Sequence, residues 1–159
     1  MNLLPFFEWL EGSALGSFMK DFAATFAIVE AIHLMALAVL GGAVLAADLR
    51  LLGVVLRDVP SNTVTAQAHK FFTIALVVLL VTGFMQLAGV ATKCYHNPFY
   101  WTKMIALAVG ILFAFTIRRP LLAKDHAQIN PWTLRLMALA SISVWFLVAA
   151  SGRWIGFSG

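Results

Sequence analysis

Four apolar stretches decide what this chain can become: residues 22–47, 71–91, 99–117 and 132–150. A bilayer hydrocarbon core of about 30 Å is crossed by roughly 20 residues of helix, and each stretch is of that order. Inside the core every backbone N–H and C=O must be satisfied within the protein, which for such continuous apolar runs means helices. Hydrophobic residues make up 62% of the 159 and charged residues only 11%, so an ordinary water-soluble domain is excluded. The expected fold is all-α: a four-helix transmembrane bundle, one membrane domain over 1–159. Residues 1–20 carry Glu8 and Glu11 and lack a basic start, so they do not read as a cleavable signal peptide. Leu3, Leu4, Phe6, Phe7, Trp9 and Leu10 point instead to a short helix in the interface, its acidic residues toward water.

The charges sort by position. Arg50, Arg57, Lys70, Arg118, Arg119, Lys124 and Arg135 border the first and third connections, against Lys20, Lys93, Lys103 and Arg153 at the opposite ends. By the positive-inside rule both termini face away from the cytoplasm, which in a bacterial inner membrane means a multi-pass protein with periplasmic termini. The net charge of +4 is therefore a topology signal, with no nucleic-acid partner implied. Cys94 is the single cysteine, so an internal disulfide and a cysteine-based metal cage are excluded and an inert thiol is expected. Pro60-Ser61 is expected to stop one helix and cap the next, and the Asn97-Pro98, Arg119-Pro120 and Asn130-Pro131 steps punctuate the remaining turns. A shift of 70 residues lays Ala36-Leu37-Ala38-Val39 on Ala106-Leu107-Ala108-Val109, Leu51-Leu52 on Leu121-Leu122 and His33 on Lys103. Thr82-Gly83 and Ser151-Gly152 correspond at a shift of 69. Either a two-helix hairpin was duplicated, with a pseudo-two-fold axis along the membrane normal, or apolar low-complexity sequence matches itself by chance.

Polar residues within the apolar stretches locate a candidate site, because ionisable groups there are costly and face a partner, a cofactor or water. Glu30 and His33 lie one helical turn apart. Counted from Asp48, Lys70, Arg118 and Arg135 at about 1.5 Å per residue, His33 and Lys103 sit about 22 Å up their helices. Glu30 and Arg153 come to about 27 Å, Gln86 to about 24 Å and Thr82 to about 18 Å. All four helices thus contribute polar groups to one band, whose excess positive charge suits an anionic ligand. The competing reading is a network that only locks the helices together, with Glu30 neutralising Lys103 or Arg153. Gly41-Gly42, Gly83, Gly110 and Gly152 allow close helix packing or room for a flat ligand. Met35, Met85, Met104 and Met137 read as core fillers. His69 belongs at the far edge of its helix, in a capping or interfacial role, His126 in a solvated loop, and His96 in an outer turn without a metal-spacing motif.

Glu30 and His33, Gly41-Gly42 and Asp48-Leu49-Arg50-Leu51-Leu52-Gly53 resemble a family of uncharacterised four-helix bacterial membrane proteins. Asn97-Pro98-Phe99-Tyr100-Trp101-Thr102-Lys103 and Ser151-Gly152-Arg153-Trp154-Ile155-Gly156-Phe157 match its third and fourth helices, so the resemblance covers nearly the whole chain. A more distant similarity is to the HemJ-type membrane protoporphyrinogen oxidase and to copper-resistance CopD-like proteins. In the former a first-helix histidine and a third-helix lysine form the functional pair and haem b is associated; His33 and Lys103 occupy those places here. Glu30 and Asp48-Leu49-Arg50 depart from that enzyme's pattern, so the resemblance speaks for a tetrapyrrole pocket more than for porphyrinogen oxidation.

The resulting expectation is a haem b protein with His33 as the axial, iron-ligating nitrogen, Glu30 accepting from the other ring nitrogen, and Lys103 and Arg153 pairing the propionates. Gln86 and Thr82 complete the cofactor-binding set, and catalytic residues are left unassigned. The function expected is electron transfer between a periplasmic donor and the quinone pool, alone or within a larger redox complex. Two alternatives stand beside it: a non-catalytic membrane anchor for a periplasmic partner, and copper handling by His33 and methionines.

Overall fold

The computed structural model describes residues 3–158, the side chain of Ala23 excepted; the first two residues of the expected 1–20 segment and Gly159 lie outside the described residues. Among the described residues eight α-helices follow one another: α1 (Leu4–Glu11), α2 (Ala14–Asp21), α3 (Ala23–Leu51), α4 (Ser61–Gly89), α5 (Ala91–Tyr95), α6 (Pro98–Leu112), α7 (Arg119–Leu122) and α8 (Pro131–Phe157). A π-helical turn (Phe113–Arg118) joins α6 to α7, and a 3-10 turn (His126–Gln128) precedes α8. The described residues contain no strand. Four helical segments are long and apolar enough to cross a membrane: Ala24–Leu51, Ser61–Gly89, Pro98–Leu122 and Pro131–Phe157. Met35, Ile74, Ile105 and Leu136 stand exposed on their outer faces, as side chains in contact with lipid must.

Local chemistry sets the helix starts. Asn97 accepts from Phe99 N and Asn130 from Trp132 N, both at 2.9 Å, and each is followed by a proline whose missing N–H costs nothing at a helix start. Ser61 does not cap α4. Its hydroxyl is 2.8 Å from His126 Nδ1, and the helix begins on Pro60 without a side-chain cap. His126 is correspondingly buried rather than solvated, its Nε2 lying 3.2 Å from the Leu122 carbonyl. Pro120 has no N–H to offer the Thr116 carbonyl, and the chain takes a wide π turn just before it.

The helices pair as two hairpins, α3 with α4 and α6 with α8, and α3 also lies beside α8. Leu40, Val44, Phe72, Leu76, Ala106, Trp145 and Val148 form the shared core, with the Phe72 and Trp145 rings 5.1 Å apart at 77°, an edge-to-face pair. Nearer the end that carries the basic connections, Asp48 and Arg118 meet inside the bundle. Arg118 Nη2 donates to Asp48 Oδ1 at 2.6 Å, with side-chain exposures of 6% and 0%, and Ser141 of α8 adjoins the carboxylate. With the two charges paired, α3 carries Asp48 inside the bundle and runs on to Leu51. Removing one member strands the other, at a cost of about 3–5 kcal/mol. Asp48→Leu and Arg118→Met are each expected to lose that much in thermal unfolding in detergent, and the double variant far less; single variants as stable as the parent would show that the pair does not matter.

At the opposite end, which carries both termini, residues 4–21 form two helices broken at Gly12-Ser13, where the Ser13 hydroxyl accepts from Gly16 N at 3.2 Å. Trp9, Phe22, Trp154 and Phe157 are exposed around this end, forming an aromatic belt. Glu8 points outward, but Glu11 turns in. It accepts from Lys20 Nζ at 2.6 Å and from the Thr92 N–H at 2.6 Å, and also from the Thr92 hydroxyl, clamping α1 and α2 onto the α4–α5 junction. α2 crosses so close that a Cβ on Gly16 would lie 2.9 Å from the Ala88 carbonyl oxygen. Burial alone would push the Glu11 carboxyl up, but its hydrogen bonds to Lys20 and Thr92 and the Lys20 charge outweigh burial and hold it down at about 2, against an ordinary 4.5. A depressed carboxyl stabilises above its unfolded value and loses that contribution as pH falls through its folded one. Amide exchange in α1 and α2 should therefore be slow at neutral pH and accelerate between about pH 4.5 and 2; Glu11→Gln should exchange fast throughout, and an unchanged profile in that variant would rule out the clamp.

Candidate functional site

His33 projects from the middle of α3 toward α4. Its Nδ1 is 2.8 Å from Thr82 Oγ1, and Thr82 Oγ1 itself lies 2.6 Å from the Val78 carbonyl. Threonine has one hydroxyl proton, and the carbonyl can only accept it, so the bond to His33 runs the other way: Nδ1–H donates and the Thr82 oxygen accepts. In the neutral ring this leaves Nε2 with its lone pair free. Thr82 thus fills the acceptor role expected of Glu30. The ring lies close beside Gly83, where a Cβ would stand 3.3 Å from His33 Cε1; a larger residue would require the imidazole to shift.

The second hairpin repeats the construction with a different head group. Lys103 of α6 lies along Gly152 of α8, with Nζ 3.5 Å from where a Cβ would be. Ser151, the counterpart of Thr82, is buried and donates to the Leu147 carbonyl at 2.7 Å, as Thr82 does to Val78. Lys103 is close enough to His33 for its charge to act on the ring. Gln86, one turn beyond Thr82, has a buried Nε2 with no hydrogen-bond partner.

The band of polar groups therefore divides. His33, Thr82, Gln86 and Lys103 face the interior, whereas Glu30 and Arg153 are exposed, with the Arg153 guanidinium 4.5 Å above the Phe157 ring. The locking network does not form: the described residues hold two ion pairs, Lys20–Glu11 and Arg118–Asp48, and neither includes Glu30, Lys103 or Arg153. What remains is a half-buried cation without a carboxylate, an amide donor without an acceptor and an imidazole nitrogen with an open lone pair. Such a set accepts a ligand that offers oxygen acceptors or an electrophilic centre.

The other candidates fall away from this site. His69 stacks on Phe72 at 6.1 Å and meets Phe115 edge-on at 5.7 Å, an aromatic packing role. His96 is exposed. Cys94 is buried, and burial pushes its thiol up, with the Lys103 and Lys93 charges offsetting this only in part; a protonated, enclosed thiol is unreactive. No group of three or more His, Cys, Asp or Glu placed to hold a metal occurs among the described residues. Sequence reasoning missed Asp48–Arg118 and the Glu11 clamp. The first had a signal in the 70-residue shift, which lays Asp48 on Arg118 as it lays His33 on Lys103.

No curated protein and no solved structure matches the chain, so no link to HemJ-type or CopD-like proteins is shown. A family model matches residues 6–158, nearly the whole bundle with its terminal clamp, and by that match this four-span membrane protein belongs to DUF6644, a family of unknown function.

Proposed function

We propose that the protein is a haem b protein of the bacterial inner membrane that passes electrons between a periplasmic donor and the quinone pool, on its own or as a subunit of a larger redox complex. The observation that carries this reading is the His33–Thr82 bond, which holds the ring at one nitrogen and leaves Nε2 open. Histidines that ligate metals are oriented in this way, the second nitrogen donating to a fixed acceptor. The donor set fits the group: His33 would hold the iron through Nε2, and Lys103, without a carboxylate of its own, would pair a propionate. Gln86 offers the same edge a neutral donor. Bound there, haem would supply one-electron transfer, while the chain's own residues orient the imidazole, neutralise the anionic edge and keep bulk water out.

Purified protein is expected to show a Soret band that His33→Ala abolishes and His69→Ala and His126→Ala keep. Thr82→Val should weaken haem retention by about 10-fold or more, and Lys103→Met should weaken it without abolishing it. Protein made with haem supplied during expression, purified in mild detergent and still colourless, would end the cofactor reading. A band that survives loss of His33 would end only the ligand assignment.

The basic connections, carrying seven of the eleven lysines and arginines, support a cytoplasmic position for their end of the bundle and a periplasmic one for both termini. A C-terminal alkaline phosphatase fusion is accordingly expected to be active and a fluorescent protein fusion dark; the reverse pattern would invert the topology and move the donor side. A second reading, a colourless anchor for a periplasmic protein, draws on the Glu11 clamp, which presents α1 and α2 as a fixed platform. It expects co-purification with a partner and no visible absorption. Copper handling is supported least, since no group of three or more His, Cys, Asp or Glu placed to hold a metal occurs among the described residues.

A further inference from the structure

Glu30 and Arg153, excluded from the interior, sit where the bundle is least closed. Glu30 precedes Asp48 by eighteen residues, about five turns, and so shares its face of α3. Asp48 on that face is fully buried, with Ser141 of α8 beside it, whereas Glu30 is exposed; this face of α3 is therefore covered at the basic end and uncovered toward the termini. Gly41, about two turns from Asp48 on the same stripe, has no atom within 4 Å of where a Cβ would lie, leaving a notch. On α8, Phe146 is 73% exposed, the most of any large hydrophobic residue described. Arg153 follows it about two turns later on the same side.

Each chain thus carries a notch and an anion along α3, and a knob and a cation along α8. The spacing agrees. Gly41 and Glu30 are eleven residues apart, about 16 Å; Phe146 and Arg153 are seven apart, about 10 Å, and the long arginine arm reaching toward the aqueous surface makes up the difference. Glu30 lies seven residues, about 10 Å, inside the start of α3, where a carboxylate facing lipid without a counter-charge is costly. Neither residue belongs to an ion pair within the chain among the described residues.

We propose that the α3–α8 face is a two-fold interface with a second copy of this chain, Glu30 of each copy meeting Arg153 of the other and Phe146 of each entering the notch at Gly41 of the other. In an isologous contact every pairing occurs twice, so one anion and one cation per chain give two ion pairs and no residual charge at the seam. A lipid or an unrelated subunit lying in the seam would satisfy one copy's charges with no such reciprocity.

Charge reversal separates these cases. In nanodiscs or mild detergent the parent chain is expected to be dimeric by mass photometry. Glu30→Arg alone presents two cations to two cations, Arg153→Glu alone two anions to two anions, and each is expected to be monomeric. Mixed by co-expression under different tags, the two single variants become complementary at both pairs and should recover a heterodimer, which a pairing within one chain cannot produce. Glu30→Gln and Arg153→Gln, which introduce no repulsion that could disturb folding, should each weaken dimerisation by about 10-fold. A parent chain that is monomeric in a bilayer, a dimer indifferent to the Gln variants, or a failure of the mixed reversal variants to associate would overturn the proposal.

Discussion

The rest of the bundle hangs on a carboxylate and a guanidinium that meet with almost no contact with solvent. Asp48 belongs to the first hairpin and Arg118 to the second, and their 2.6 Å contact ties the two together at one level. In a bilayer apolar side chains gain little by leaving lipid for one another, so helix association depends on close packing and on polar contacts that have nowhere else to go. The Phe72–Trp145 contact and the core around it supply the packing. The ion pair supplies the register: sliding α3 by one turn against the second hairpin would bury two unpaired charges. The helices can be as apolar as they are, and still assemble one way, because this single contact penalises the alternatives.

From that level outward the two hairpins run in parallel. Asp48 and Arg118 are 70 residues apart, and so, fifteen residues further up each helix, are His33 and Lys103. Each of the latter lies across a glycine of its own hairpin's second helix, preceded by a hydroxyl residue that donates to a carbonyl one turn back. Sequence matching alone left chance as a rival explanation for the 70-residue repeat. A repeated arrangement of head group, glycine and back-bonded hydroxyl is harder to obtain by chance, because it involves contacts that hydropathy does not select.

What was legible in the sequence followed from length and depth, and what was not required direction. Four apolar runs of membrane-spanning length determine an all-α bundle with little freedom, since the bilayer removes the competing folds. Helix starts were legible where a proline marks them: α4 begins at Ser61, α6 at Pro98 and α8 at Pro131. The caps were less so, since Ser61 turns to His126 instead of capping α4. Rise per residue placed His33, Lys103, Thr82 and Gln86 in one band and they do converge, but the same arithmetic admitted Glu30 and Arg153, which face outward. Depth says how far along a helix a residue lies; azimuth depends on which neighbour the helix packs against. Thr82 as the partner of His33, Ser61 as the partner of His126 and Thr92 as the partner of Glu11 are contacts over 49, 65 and 81 residues, and no local pattern announces them.

The divergence between the hairpins matters more for function than their likeness. Two histidines at equivalent positions would make a symmetric pair of ligand nitrogens, and two lysines a doubly charged anion trap. One of each makes a site with two unlike ends: an imidazole whose lone pair is free because Thr82 holds its other nitrogen, and an ammonium with no carboxylate to neutralise it. Displacing Glu30 to the outside is part of the same arrangement. A carboxylate beside Lys103 would cancel its charge, and one beside His33 would compete with Thr82 for Nδ1–H. On the proposed reading, a molecule with an electrophilic centre and an anionic edge would use both ends, whereas one with only a single such feature would leave the other end an unsatisfied polar group. That cost would favour the first class, because the two ends are mounted on separate hairpins whose register Asp48 and Arg118 hold.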